Sequence, residues 1–243
     1  MNLNLLFGGA VMALGVLGAA SANAVTFATY NPVDGGAANI ALTGLALSAS
    51  APVVFNYLDP TLSPLGDLAA SLSLNATETG ATSFGPLALA TFDGSFNLAY
   101  TGPTKTVGAL TVTTGESLLS GTFLGSVFSG YGSAGNIIDS NLGGGLVSYN
   151  NSSLITFDPT ADEGLSVGLT SITPIAIVTA GQLANFTAVS QGEFAANFTV
   201  NGGGGGVPEP ATWAVMLAGF GGLGMALRSR RSKVAAAALP ATL

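Results

Sequence analysis

The chain has 243 residues, of which 48% are apolar, 35 are glycine and only 7% are charged, against roughly 25% charged in an average globular domain. It contains no His and no Cys, which excludes Ser-His-Asp and Cys-His catalysis, imidazole or thiolate metal sites, and disulfides. The net charge of −7 argues against nucleic acid or anionic lipid as a partner.

The first 24 residues read as a signal peptide. Leu5 to Ala20 is built almost entirely from Leu, Ala, Val, Gly, Met and Phe, and it runs into Ser21-Ala22-Asn23-Ala24. The small residues Ala22 and Ala24 form the A-x-A pattern that signal peptidase accepts, so Val25 is the expected mature N-terminus. Met1 to Asn4 carries no Lys or Arg; either the α-amino group supplies the positive charge of this region or the true start lies upstream.

The body, residues 25–201, alternates with period two. Phe96, Leu98 and Tyr100 fall on one face of Asp93–Tyr100, while Ser95, Asn97 and Ala99 fall on the other, as in a half-buried strand. Ser71–Leu74, Leu110–Thr113 and Phe194–Val200 repeat the arithmetic, the last grouping Phe194, Ala196, Phe198 and Val200. Thr and Ser fill the second face, which suits strand backbone without adding charge. Asn31-Pro32, Asp34-Gly35, Asp59-Pro60, Asp93-Gly94, Gly143–Gly145 and Asp158-Pro159 punctuate these runs as turns. An all-β body of about eight to twelve strands follows, expected as a β-sandwich or jelly roll because the strands are one-faced. A solenoid is disfavoured by the lack of a fixed repeat, and an outer-membrane barrel by irregular strand lengths and charge placement.

Charge in the body is one-sided: Lys105 is its one basic side chain, against eleven acids from Asp34 to Glu193. Asp158, Asp162 and Glu163 invite a calcium or glycosidase reading. As a calcium loop starting at Asp158, however, Glu163 stands where an EF-hand needs Gly and Leu169 where it needs Glu, so a solvated acidic turn is expected instead. No catalytic, cofactor-binding or metal-ligating residue is assigned. Sequons such as Asn75-Ala76-Thr77 are read as by-products of an Asn/Thr/Ser-rich strand surface.

After the body, Gly202 to Gly206 reads as a flexible tether. In Val207-Pro208-Glu209-Pro210 the two prolines hold Glu209 extended, a shape that fits a protease cleft. Ala211 to Leu227 is an uncharged run of 17 residues bordered by Trp213 on one side and by Arg228, Arg230, Arg231 and Lys233 on the other. Its length is about 25 Å as a helix, the lower limit for crossing a bilayer, and the basic cluster would place its C-terminal side in the cytoplasm. A short C-terminal transmembrane helix is therefore expected, with Val234 to Leu243 trailing behind it.

Pro208-Glu209-Pro210, then Trp213-Ala214, the glycine-rich apolar run through Gly224 and the Arg228-Ser229-Arg230-Arg231 cluster together resemble the PEP-CTERM sorting signal, over residues 207–233. Val215 stands where that family commonly has Met, and the tail from Val234 extends past the usual end. The resemblance implies a substrate of an exosortase, a membrane protease-transferase. Pro208, Glu209 and Pro210 would be its recognition residues, Trp213 to Leu227 the anchor, and Arg228, Arg230 and Arg231 the stop. It also implies an inner-membrane precursor, a mature form at the cell surface or in the extracellular matrix, and an association with exopolysaccharide or biofilm.

The function expected is that of a non-enzymatic envelope or matrix component. The alternatives are a carbohydrate-binding sandwich module, an unprocessed membrane-anchored β domain and, last, an acid-dependent hydrolase. Sugar binding would need exposed aromatics, for which Tyr30, Tyr57, Tyr100, Tyr131 and Tyr149 are the candidates.

Overall fold

The computed structural model describes residues 24–33, 37–140, 146–158 and 160–201. In chain order its strands are β1 (Val25–Pro32), β2 (Ile40–Thr43), β3 (Ala46–Tyr57), β4 (Leu68–Phe84), β5 (Leu87–Tyr100), β6 (Lys105–Val107), β7 (Leu110–Val112) and β8 (Ser117–Tyr131). They continue with β9 (Ala134–Ser140), β10 (Leu146–Tyr149), β11 (Ile155–Phe157), β12 (Gly164–Thr173), β13 (Val178–Thr179), β14 (Gln182–Leu183), β15 (Phe186–Ala196) and β16 (Phe198–Val200). Ser63–Leu65 forms a 3-10 turn between β3 and β4.

Ten of these strands make one antiparallel sheet that closes on itself. The path β15-β12-β9-β8-β5-β4-β3 is completed by β1, which pairs with both β15 and β3. β2 continues the same position beyond β1 and pairs with the same two neighbours. β9 and β10 likewise share one flank of β8, so the ring is an eight-stranded barrel. The expected sandwich or jelly roll is thereby corrected. Alternation reports only that each strand has one dry face, and a sheet rolled onto itself satisfies that as well as two sheets packed together.

The dry face points inward. On β4, Leu68, Ala70, Leu72, Leu74 and Ala76 are buried, while Ala69, Leu72's neighbour Ser73, Asn75 and Thr77 lie between them on the outer, wetter side. Membrane-spanning barrels need the reverse, an apolar exterior around a polar lumen. Phe96, Leu98 and Tyr100 are buried together, as their spacing in β5 predicts. Asp93-Gly94, in contrast, is no turn: it sits inside β5 at a break in register with β8, and a Cβ on Gly94 would lie 2.5 Å from the Cβ of Ala76. The expected strand Phe194–Val200 is divided at Asn197, whose carbonyl accepts the Asp158 N–H. β16 then leaves the barrel to pair with β11.

One end of the barrel carries the connections 57–68, 100–117 and 140–164, together with Ala24 and Asn201, where the described body begins and stops. The other end carries the β2–β3, β4–β5 and β8–β9 turns and the 173–186 connection, which holds the β13–β14 hairpin. The expected transmembrane helix is also corrected: no helix among the described residues is long and apolar enough to cross a membrane, and residues 211–227 lie outside them.

Candidate functional site

A barrel of this size can hold a small ligand or fill itself with side chains, and among the described residues side chains fill the interior. Phe96 stacks on Phe194 with ring centroids 5.3 Å apart, and Tyr149 meets Phe27, Phe157 and Phe194. Glycines make room for the rings: a Cβ at Gly121 would lie 3.1 Å from both Phe96 and Tyr149. A cavity of about 10 Å³ remains between Tyr30, Leu74, Phe96 and Phe194, the volume of roughly one water and far below that of a ligand site.

Four of the five tyrosines weighed for sugar contact belong to this core. Tyr30, Tyr57, Tyr100 and Tyr149 are buried, and each hydroxyl already donates: to Ser190 Oγ, to the Leu118 carbonyl, to the Pro103 carbonyl and to the Gly164 carbonyl respectively. Burial raises the pKa of Tyr30, Tyr57 and Tyr149 above the usual phenol value, so none is a nucleophile near neutral pH. Tyr131 is exposed.

The chemically unusual groups are three carboxylates at the barrel wall. Asp139 on β9 is buried beside Ser126, whose hydroxyl donates to Asp139 Oδ2 at 2.7 Å, while Asp139 Oδ1 has no partner. Burial raises its pKa, with the Ser126 bond opposing. Glu163 accepts the Tyr149 N–H at 2.8 Å and is raised by burial in the same way. Glu78 on β4 is buried near the other end of the barrel, where both oxygens accept the Leu183 N–H at 3.2 Å. Its pKa too is raised by burial and partly restored by that bond. Glu78 and Asp139 were not singled out from the sequence, although a signal was there. Both stand in the apolar phase of their strands, after Leu74-x-Ala76 and after Ile137.

Asp158, Asp162 and Glu163 do not converge on one point. Asp158 Oδ1 closes a local turn, accepting the Thr160 hydroxyl at 2.7 Å and its N–H at 2.9 Å, and these bonds lower its pKa. Glu163 turns instead to Tyr149. Among the described residues no group of three or more acidic side chains is placed to hold a metal ion. Of the sorting and processing residues, Ala24 is half-buried directly before β1. Ala22, Pro208, Glu209, Pro210, Trp213, Arg228, Arg230 and Arg231 lie outside the described residues.

Fold and carboxylates together describe a self-filled, antiparallel eight-stranded barrel. The more specific assignment comes from the C-terminal segment: residues 206–231 match the family model of the PEP-CTERM protein-sorting motif, as the resemblance from Pro208 to Arg231 implied. The match links the chain to an exosortase-type sorting system and to export toward the cell surface. No curated protein and no solved structure matches the chain.

Proposed function

We propose that this protein is a non-enzymatic component of the cell envelope or extracellular matrix, delivered by exosortase processing of its C-terminal segment and associated there with exopolysaccharide. The match of residues 206–231 to the sorting motif carries this reading. It is supported by the five glycines at 202–206, a composition expected of a tether that leaves a following motif accessible to a protease. A non-enzymatic role fits the filled interior and the hydrogen bonds that hold the wall carboxylates within the fold, from Ser126 to Asp139, from Tyr149 to Glu163 and from Leu183 to Glu78.

Replacing Pro208, Glu209 and Pro210 with Ala in an exosortase-bearing host tests the proposal. The unaltered protein should yield a mature surface form lacking Arg228 to Leu243, and the variant should accumulate uncut, as read by fractionation and intact mass. A mature form that keeps Arg228 to Leu243 and is identical in the variant would refute processing at this motif.

A further inference from the structure

Asn201, the last residue of the described body, is followed in the sequence by Gly202, and no other asparagine of the chain precedes a glycine. That dipeptide is chemically labile. The backbone nitrogen after an asparagine can attack the side-chain carbon Cγ, and a glycine, which has no Cβ, shields its nitrogen least. As the N–Cγ bond closes a five-membered succinimide, the Cγ–Nδ2 bond breaks, and the proton of the attacking nitrogen leaves with the amide as ammonia. Water then opens the ring to aspartate or isoaspartate.

For this attack the side chain must fold back over its own carbonyl. Here it is held across the β11–β16 ribbon instead. Its Nδ2 donates to the Ser152 carbonyl at 3.1 Å, its Oδ1 accepts the Thr156 hydroxyl at 3.0 Å, and the Asn201 N–H donates to the Leu154 carbonyl at 2.8 Å. The partners are fixed in turn. Ser152 Oγ accepts the N–H groups of Leu154 and Ile155 at 3.3 and 3.2 Å, and the Ser152 N–H donates to the Ile155 carbonyl. Ile155 is fully buried and pairs with Val200, the residue before Asn201. Swinging the amide toward Gly202 would therefore break both side-chain bonds at once.

We infer that Asn201 is a gated deamidation site: the β11–β16 ribbon keeps it in the amide form, and it converts only while the ribbon is open. The conversion runs one way. Either product carries a carboxylate, which has no donor for the Ser152 carbonyl, and isoaspartate also routes the main chain through its Cβ at the end of β16. A ribbon that has opened and reacted cannot refasten its last residue as before. The fastening at the point where the sequence passes into the glycines of 202–206 thus records openings of this end of the barrel.

Peptide mapping of residue 201 in the mature exported protein, incubated at mildly alkaline pH either folded or in urea, tests the inference. Conversion should be slower in the folded protein than in urea by at least about tenfold, because the reaction waits for a local opening. Thr156→Val keeps the branched shape of an exposed strand residue and removes the donor to Oδ1. It should speed conversion several-fold in the folded protein and leave the rate in urea unchanged. Asn201→Asp, which reproduces one product, should exchange the N–H of residue 201 faster than the parent. Circular dichroism of the variants would show that the barrel is intact. Equal rates folded and in urea overturn the inference, as does residue 201 exchange in Asn201→Asp as slow as the parent's. So does a Thr156→Val protein that converts no faster than the parent; slower conversion would give the Thr156 hydroxyl the opposite role, activating Cγ.

Discussion

At the scale of single residues, Asp139 sets the sharpest expectation. An unfolded aspartate titrates near pH 4, and burial among barrel side chains raises the folded value above that. A group raised in this way contributes its full stability below the unfolded pKa, and that contribution is lost as pH rises through the folded pKa. Glu78 and Glu163 shift in the same direction, so together they make the barrel less stable at neutral than at mildly acidic pH. Asp158, lowered by its Thr160 bonds, works the other way, but it is fully exposed and its effect is small. Asp139→Asn should therefore stabilise the protein at neutral pH by about 1–2 kcal/mol and flatten the decline between mildly acidic and neutral pH. Urea titrations of both proteins across that range check this. A variant less stable than the parent at neutral pH would mean that the Ser126 bond outweighs the buried charge. The position of Asp139 was legible from the sequence as an acid in an apolar phase. Its partner Ser126 was not, since it lies 13 residues away across a turn and one more serine in a Ser-rich chain carries no signal.

Between residues and the whole barrel stand the strands, and the least regular position in the ring is the one that β1 and β2 divide. β1 ends at Pro32 and β2 begins at Ile40, which leaves β15 with a gap in its ladder between Gly192 and Ala188. The side chain of Asn39 fills it. Its Oδ1 accepts the Ser190 N–H at 2.6 Å and its Nδ2 donates to the Ser190 carbonyl at 3.3 Å, the two bonds a strand residue would have made. Asn39 N–H also donates to the Ala188 carbonyl. Asn39→Ala should leave the Ser190 backbone unpaired and cost about 1–3 kcal/mol, whereas Asn39→Asp should retain the bond from the Ser190 N–H and cost less. Chemical denaturation of the two variants distinguishes this from a loop-surface role, in which both would be neutral. Sequence periodicity showed β5 at Asp93–Tyr100 and part of β4 at Ser71–Leu74 because these runs alternate, but of β15 it reached only Phe194 to Ala196, whose inner face is interrupted upstream by the buried run Ala188-Val189-Ser190. It could not show a strand completed by a side chain, because the partners are 151 residues apart and the chain between β1 and β2 has no alternation.

For the whole molecule, the property hidden from the sequence was closure, because it depends on β1 meeting β15, with Val25 opposite Ala196. Pairing at that separation leaves no mark in a local pattern. Closure also defines what is needed to fold. The first strand begins at Val25, and the last residue described, Asn201, is fastened three times: its N–H donates to the Leu154 carbonyl at 2.8 Å, its Nδ2 to the Ser152 carbonyl at 3.1 Å, and its Oδ1 accepts from Thr156. Every strand of the barrel thus lies within residues 25–201, with both edges paired and the core filled by apolar side chains. That segment, expressed without residues 1–24 and 202–243, should give a β-dominated far-ultraviolet circular dichroism spectrum and one cooperative thermal transition. The transition should not move on adding Ca²⁺ or a chelator, because Asp158 and Glu163 spend their carboxylates on Thr160 and Tyr149. A melt that becomes cooperative only with Ca²⁺ would show that the acidic turn gathers around an ion after all. A spectrum rich in helix would overturn the barrel itself.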